Sequence, residues 1–302
     1  MGSGHSHGPV GHVGGRYRTR LRVAFLLIAA FFLVELAYGF LASSLALLSD
    51  AGHMAADVVA LGAALAATKI ATRPDTSGRR TYGSYRAEVF ASGFTVLLML
   101  AVALYVVVEA IGRIGSMPDV HTLPMIVVGA LGLVVNVVVL LLLREGASES
   151  LNVKGAYLEV VADTAGSVGV IVAGVVIALT GQTWVDTLVA LAIGAFVAVR
   201  AAMLGRQVLA VLGQQVPEGL VVDDVVRDLC AIDGVRDIHD LHVWVLTSGM
   251  NVASAHLVTD DEEEHSRILE DAQRVLLTAY HVEHATLQLE RQPSRNCHEV
   301  TW

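Results

Sequence analysis

The sequence predicts a membrane protein built from an all-α bundle of six transmembrane helices and a small α+β domain. Of its 302 residues, 54% are hydrophobic and only 16% are charged, and the mean hydropathy is +0.61. This composition is too apolar for a protein that is soluble throughout. Six apolar runs precede Gly213, whereas short amphipathic segments follow it, so the chain divides into a membrane part and a polar part.

Each apolar run is close to the roughly 20 residues that a helix needs to cross a bilayer. The runs occupy residues 21–42, 45–69, 88–112, 122–143, 156–180 and 184–206. The segment before the first run is polar and basic, and that run is long enough to span, so we predict no cleavable signal peptide.

Basic residues are concentrated before the first predicted span and in alternate connections between the spans. They are Arg16, Arg18, Arg20, Arg22, Lys69, Arg73, Arg79, Arg80, Arg86, Arg144 and Lys154, with Arg200 and Arg206 at the end of the sixth span. The positive-inside rule places these connections and both termini in the cytoplasm, and an even number of spans agrees. The short loops and the compact polar part fit a prokaryotic plasma membrane, so we predict a multi-pass protein of that membrane.

The polar part contains alternating helix and strand patterns. A helix is predicted over residues 217–232, followed by two strands, RDIHDLHVWVLT and NVASAHLVT, joined at Ser248 and Gly249. A second helix over residues 261–279 and a third strand, HATLQLE, complete an αββαβ order.

Four regions follow from these patterns. They are a flexible His-containing N-terminal tail (residues 1–19), a transmembrane domain (20–212), an α+β domain (213–291) and a flexible C-terminal tail (292–302). Residues 213–302 contain 6 Lys/Arg and 17 Asp/Glu, a net charge of −11, whereas the rest of the chain carries +2. The acidic part favours cations as partners and argues against nucleic acid.

Two of the predicted spans carry ionisable side chains at helical spacing. His53 and Asp57 are four residues apart in the second span, and Glu159 and Asp163 are four apart in the fifth, so each pair shares one helix face. If the two faces meet, they supply one imidazole and three carboxylates, which suits a divalent metal ion.

Buried polar side chains also occur as hydrogen-bonding partners between helices, and we assign Glu35, Glu109 and Asn136 to that structural role. Two separate pairs are harder to explain by packing, because each charge within a bilayer costs about 2.5–3.5 kcal/mol. Three clustered carboxylates cannot all stay ionised without a cation, so an entering divalent ion would displace protons. Competition between metal and protons at a site with alternating access is the basis of an antiporter.

Four segments together resemble the cation diffusion facilitators, which are proton-coupled exporters of zinc and related divalent metals. The segments are SLALLSDAGHMAADVVAL, TYGSYRAEVFASGF, LNVKGAYLEVVADTAGSVGVI and VRDIHDLHVWVLTSGMNVASAHLV. The resemblance runs in order from about residue 20 to 290, which is nearly the whole chain.

The resemblance implies a homodimer in the lipid bilayer, with a cytoplasmic domain of the ferredoxin-like (αββαβ) type that binds further metal and holds the dimer together. It places the transport site on His53, Asp57, Glu159 and Asp163. The common zinc-transporting pattern has His at the first position of both helices, so this chain departs from it at Glu159.

A carboxylate at position 159 makes the ligand set harder and more negative, which relaxes discrimination against Mn²⁺ or Fe²⁺. Zinc also accepts carboxylate oxygens, and the Irving–Williams order still favours it. We therefore expect Zn²⁺ as cargo and as the metal of the cytoplasmic domain, with Cd²⁺ and Co²⁺ as further cargoes, and Mn²⁺ or Fe²⁺ as the alternative.

A second metal site is expected on the predicted strands. If Ser248 and Gly249 form a two-residue turn, His256 lies opposite Leu241, and His239 is its diagonal neighbour on the same face. In this register His242 points to the other face. The third strand offers Glu290 or Gln288 as a further ligand.

Two other functional classes remain open from the residues alone. The same imidazole and carboxylates could activate water in an intramembrane metalloenzyme, although the sequence contains no HExxH or GxSxG motif. A metal sensor without transport would use His239 and His256. We favour the transporter and predict that the chain is not an enzyme.

Overall fold

A computed structural model describes residues 18–71, 81–114, 119–147, 151–247, 249–260 and 264–291. The predicted N-terminal and C-terminal tails lie almost entirely outside these residues. Six long helices come first: α1 (Arg18–Leu41), α2 (Leu45–Ala71), α3 (Ala87–Gly112), α4 (Thr122–Ala147), α5 (Leu151–Thr180) and α6 (Trp184–Leu212). The six predicted spans are thus helices, several of them longer than predicted.

Five of the six are long and apolar enough to cross a membrane. These segments are Arg22–Leu41, Ala87–Gly112, Thr122–Glu145, Tyr157–Thr180 and Trp184–Leu212. The exception, α2, spans 27 residues, and its apolar sequence is interrupted by Asp50, His53 and Asp57. Large apolar side chains are widely exposed on the other helices, for example Phe90 at 65% and Leu179 at 81%. Such surfaces suit contact with lipid.

The described residues fall into two compact units, one within residues 1–65 and 94–204 and the other within 66–93 and 205–302. In the first unit α4 packs along α5, and α1 packs against α4. Its core contains fully buried side chains from several helices, among them Leu47, Val106, Met125 and Ala173.

The second unit contains the predicted αββαβ elements. They are α7 (Val222–Cys230), β1 (Val235–Thr247), β2 (Met250–Thr259), α8 (His265–Tyr280) and β3 (Val282–Glu290). The order agrees with the prediction, but α7 is shorter than the predicted 217–232. Strand β3 begins two residues earlier than predicted, directly after His281, whose left-handed backbone ends α8.

The three strands form one sheet in the order β1-β2-β3. Strands β1 and β2 are antiparallel, and β3 lies parallel to β2. Buried residues of α7 and α8, such as Leu229 and Leu276, pack with Ala253, Ala255 and Leu257 of β2. Since side chains alternate along a strand, His256 lies on the sheet face opposite this core.

The hairpin register differs from the predicted one beyond the turn. Thr247 faces Met250 as predicted, but irregularities between Val245 and Thr247 and between His239 and His242 shift the pairing. At the second one, Asp240 adopts a left-handed conformation with φ of 54°, which Asp tolerates better than most residues. As a result His256 lies opposite His239, not Leu241.

The bulge also corrects the prediction for His242, which pairs with Ser254. Because Ser254 and His256 are two residues apart on β2, His242 shares their face of the sheet. Its side chain is 55% exposed and contacts Asp240 at 2.9 Å.

Candidate metal centres

Asp186, in the first turn of α6, holds the N-terminal end of α2. Its carboxylate accepts hydrogen bonds from the backbone N–H groups of Leu45 (2.6 Å) and Ala46 (3.2 Å) and from the Ser44 hydroxyl (2.5 Å). The first N–H groups of a helix have no partner within that helix, so this carboxylate caps the N-terminus of α2. Arg113, just after α3, donates to the same carboxylate at 3.1 Å.

Two glycines let α2 approach its neighbours closely. A Cβ on Gly166 of α5 would lie 2.6 Å from Asp50 Oδ1, and a Cβ on Gly52 would lie 2.4 Å from Val102 Cγ1 on α3. Both distances are too short for a side chain to fit without movement. The helix that carries His53 is therefore held against both α3 and α5.

His53 and Asp57 of α2 lie beside Glu159 of α5. One donor atom from each of these three residues lies within 4.8 Å of the other two. His53 Nδ1 is 3.7 Å from Asp57 Oδ2, and the two side chains are 3% and 14% exposed. The structure thus brings together three of the four residues that the sequence predicts as transport ligands.

Asp163, the fourth predicted ligand, contacts the imidazole but lies outside the three-donor group. Its Oδ1 is 3.2 Å from His53 Nε2 and accepts no aligned hydrogen bond from the part of the chain that is described. Donors in a tetrahedral site with bonds of about 2.1 Å lie roughly 3.4 Å apart. The donor atoms of the four side chains would therefore have to come closer together to share one ion.

Sequence reasoning missed Arg200, whose guanidinium lies among these ligands. Its Nη2 donates a hydrogen bond to Glu159 Oε1, and its Nη1 is 3.2 Å from His53 Nε2 and 3.9 Å from Asp57 Oδ1. The sequence places it near the end of a span that stops at residue 206, whereas α6 continues to Leu212. The twelve residues that follow Arg200 in the helix cover about 18 Å, so Arg200 lies within α6 and not at its end.

The three polar residues that we predicted to be structural differ in their hydrogen bonds. Asn136 donates to Ser167 Oγ at 3.3 Å, and Glu109 accepts from Arg113 at 3.3 Å. Glu35 is fully buried beside Asp50, and neither of its oxygens accepts a hydrogen bond from a donor group of the described residues.

A second cluster lies on the sheet of the α+β domain. His239, His256 and Glu290 each offer one donor atom within 4.8 Å of the others. His239 Nε2 is 2.8 Å from Glu290 Oε1, and His256 Nδ1 is 3.8 Å from the same oxygen. The 2.8 Å contact lacks the alignment of a hydrogen bond, so the two atoms converge as ligands of a common ion would.

The parallel strand β3 explains why Glu290 belongs to this cluster. Gln288 pairs with His256 and Glu290 pairs with Val258, so both side chains lie on the face that carries His256. Of the two alternatives offered by the sequence, the carboxylate of Glu290 reaches the imidazoles. The Gln288 amide instead donates to Glu290 Oε2 at 3.3 Å.

The chain matches both domains of the cation efflux proteins along its length. Residues 21–212 match the cation efflux transmembrane domain, and residues 217–292 match the cytoplasmic domain of cation efflux proteins. The metal cation efflux system protein CzcD of Cupriavidus metallidurans is 42% identical over 97% of this chain and 92% of the relative.

Other relatives are also named as metal transporters. Zinc transporter ZitB of Escherichia coli is 34% identical over 99% of this chain and 96% of its own length. The cadmium, cobalt and zinc/H⁺-K⁺ antiporter of Bacillus subtilis is 33% identical over 96% of this chain and 92% of its own length. Among solved structures, the metal-bound C-terminal domain of the C. metallidurans CzcD transporter covers 24% of this chain and 99% of that domain, with 30% identity and a TM-score of 0.23.

These matches confirm the predicted combination of a helical transmembrane domain and a cytoplasmic α+β domain. They also confirm the prediction that the chain is not an enzyme, because the family and the relatives are metal transporters. The chain therefore belongs to the cation efflux family, the cation diffusion facilitators, and is a multi-pass protein of the plasma membrane that exports divalent metal cations.

Proposed function

We propose that this chain exports Zn²⁺ from the cytoplasm in exchange for protons, and that it does so as a homodimer. Residues 20–212 carry out transport, and residues 213–291 bind metal and hold the dimer together. The observation that carries the proposal is the convergence of His53, Asp57 and Glu159 within 4.8 Å on two helices, with Asp163 3.2 Å from the same imidazole.

This ligand set supports zinc as the cargo. One imidazole and three carboxylates match the N and O donors that Zn²⁺ accepts. Relatives at 34% and 33% identity are named as a zinc transporter and as a cadmium, cobalt and zinc antiporter. Cd²⁺ and Co²⁺ are accordingly expected as further cargoes.

Proton exchange follows from the charge of the cluster. Asp57, Glu159 and Asp163 are three carboxylates, and the Arg200 guanidinium offsets only one of their charges. Because like charges at close range disfavour ionisation, a divalent cation and protons compete for the cluster. Opening the site alternately to the two sides of the membrane then couples the two flows.

The carboxylate of Glu159 supports Mn²⁺ as the rival cargo. Oxygen donors suit Mn²⁺ better than imidazole does, and the usual zinc-transporting pattern has His at this position. A manganese exporter would keep the same residues and the same proton exchange.

Stopped-flow uptake tests the proposal. Purified protein is sealed into vesicles with a pH gradient, and Zn²⁺ and Mn²⁺ fluxes are compared for the wild type, Glu159→His and protein-free vesicles. We expect zinc flux coupled to proton movement, and loss of any manganese flux in Glu159→His. No flux of either ion, despite metal binding, would overturn the proposal in favour of a sensor.

The cytoplasmic cluster of His239, His256 and Glu290 is proposed as the metal site of residues 213–291. Two imidazoles and one carboxylate form a common set of zinc ligands. Their side chains are 11%, 21% and 11% exposed, so an ion bound there would still be reachable from the cytoplasm.

A further inference from the structure

Arg200 brings a permanent positive charge into the candidate transport site. Its two terminal nitrogens contact ligands from two different helices: Nη2 donates to Glu159 of α5, and Nη1 lies 3.2 Å from His53 Nε2 on α2. Arg200 itself belongs to α6. The guanidinium therefore links the three helices at the point where the predicted ligands meet.

The guanidinium uses the same lone pairs that a metal ion needs. Arginine has only donor groups, so Arg200 Nη1 can bond to His53 Nε2 only through the lone pair of that nitrogen. Metal coordination by the same nitrogen requires the same lone pair, and the Glu159 oxygen that accepts from Nη2 is likewise a potential metal ligand. The cation of Arg200 and the transported ion therefore compete for these atoms.

The surroundings of Arg200 allow it to change position. Its side chain is 25% exposed, whereas those of His53 and Asp163 are 3% and 4% exposed. Its Cζ lies 5.8 Å from the ring centroid of Phe196, one helical turn earlier, and the same ring makes an edge contact with His53. Phe196 thus supports the guanidinium without enclosing it.

We propose that Arg200 is a tethered cation that competes with the transported metal for His53 and Glu159 and is displaced when the metal binds. This inference rests on the proposed function, because it assigns Arg200 a role at the same transport site. The competition weakens metal binding and promotes release, so Arg200 sets the balance between affinity and turnover. Arg200 is therefore a positioning residue whose effect is exerted through the ligands.

The first test separates affinity from rate. Zinc flux is measured in vesicles for the wild type, Arg200→Gln, Arg200→Lys and the control Arg206→Gln, which removes an exposed charge from the same helix. We expect Arg200→Gln to lower KM about tenfold or more, as loss of a nearby charge shifts an ionic equilibrium, and to lower the maximal rate. Arg200→Lys keeps the charge and should restore most of the wild-type KM, and Arg206→Gln should match the wild type.

An unchanged or higher KM in Arg200→Gln, with wild-type flux present, would overturn this inference alone. Absence of wild-type flux would instead contradict the proposed function. If Arg200→Gln does not fold, the wild-type protein still provides a test with an arginine-selective dicarbonyl reagent and mass spectrometry. Zn²⁺ should speed modification of Arg200 and leave that of Arg206 unchanged, and protection of Arg200 or no change would contradict displacement.

Discussion

His239 on β1 lies directly opposite His256 on β2, and the centroids of the two imidazole rings are 5.1 Å apart. The planes of the rings are inclined by 80°, so the two side chains do not stack. Glu290 reaches both from β3, and its Oε1 is the common neighbour. A cross-strand pair and a parallel third strand thus combine three donors that are up to 51 residues apart in sequence.

Replacing His239 with Ala should remove one tightly bound metal ion per protomer from the full-length protein. The remaining imidazole and carboxylate leave too few protein ligands for a closed zinc site. The bound metal is counted by elemental analysis after equilibrium dialysis against Zn²⁺. His265→Gln is the control, because His265 contacts Thr259 at 2.8 Å and lies outside the cluster. An unchanged zinc content in His239→Ala would contradict the assignment.

The cytoplasmic cluster of His239, His256 and Glu290 could be predicted only in part from the strand patterns. Alternation along the strands predicts that His239 and His256 share a face, and the turn at Ser248 and Gly249 predicts that Thr247 faces Met250. The bulges between these points depend on local backbone conformation, notably at Asp240, and each one shifts the register by one residue. Nothing in the side-chain pattern marks that shift. The predicted partner of His256 and the predicted sheet face of His242 are therefore wrong.

Prediction of the transmembrane site from the sequence is limited for a different reason. Helical spacing within α2 and within α5 predicts which side chains share a face, and His53, Asp57 and Glu159 do converge. Spacing within one helix cannot reveal which residue of another helix faces the cluster. In the sequence, Arg200 is explained by the positive-inside rule as a basic residue near the cytoplasmic end of a helix. Only the packing of α6 against α2 and α5 reveals that its charge lies among the ligands.

Asp57→Asn and Asp163→Asn should each abolish zinc export while the protein still reaches the membrane. Both substitutions keep the shape of the side chain, remove one ligand charge and leave a weaker metal donor. Export is measured as zinc tolerance of cells that depend on this chain, together with the amount of protein in isolated membranes. Asp119→Asn is the control because Asp119 is exposed between α3 and α4. Normal zinc tolerance in either ligand variant would contradict the transport site.

Asp186→Ala should destabilise the transmembrane unit strongly. It removes the acceptor of two N-terminal amides of α2, worth about 1 kcal/mol. It also removes the buried carboxylate that pairs with Arg113, and breaking such a pair costs about 3–5 kcal/mol. Thermal unfolding in detergent gives the measurement.

Glu109→Gln is the matched control for Asp186→Ala, because Glu109 is another carboxylate that pairs with Arg113 and its side chain is 43% exposed. Exposed pairs contribute at most about 1 kcal/mol. The melting temperature should therefore fall far less than in Asp186→Ala. Equal losses in the two variants would show that Asp186 does not organise the helix ends as the structure indicates.

Gly52→Ala should destabilise the protein and disturb zinc transport, because a methyl group at this position collides with α3. The new Cβ would lie 2.4 Å from Val102 Cγ1, and overpacking of this kind costs about 1–3 kcal/mol. Gly52 directly precedes His53, so movement of α2 that relieves the collision also displaces the imidazole from Glu159 and Asp163. Melting temperature and the KM for zinc flux report the two effects.

Val102→Ala tests whether the collision with Val102 causes these effects of Gly52→Ala, since it removes the methyl groups that the new Cβ would meet. In the double variant Gly52→Ala/Val102→Ala, stability and KM should recover toward the values of Val102→Ala alone, as expected for residues in contact. Gly62→Ala is the matched control on the same helix, because a Cβ there meets no described atom within 4 Å. As Ala favours a helix over Gly by about 1 kcal/mol, Gly62→Ala should be neutral or stabilising. If Gly52→Ala behaves like Gly62→Ala, α2 and α3 do not pack as closely as this structure shows, and the position of His53 must be fixed by α5 and α6 instead.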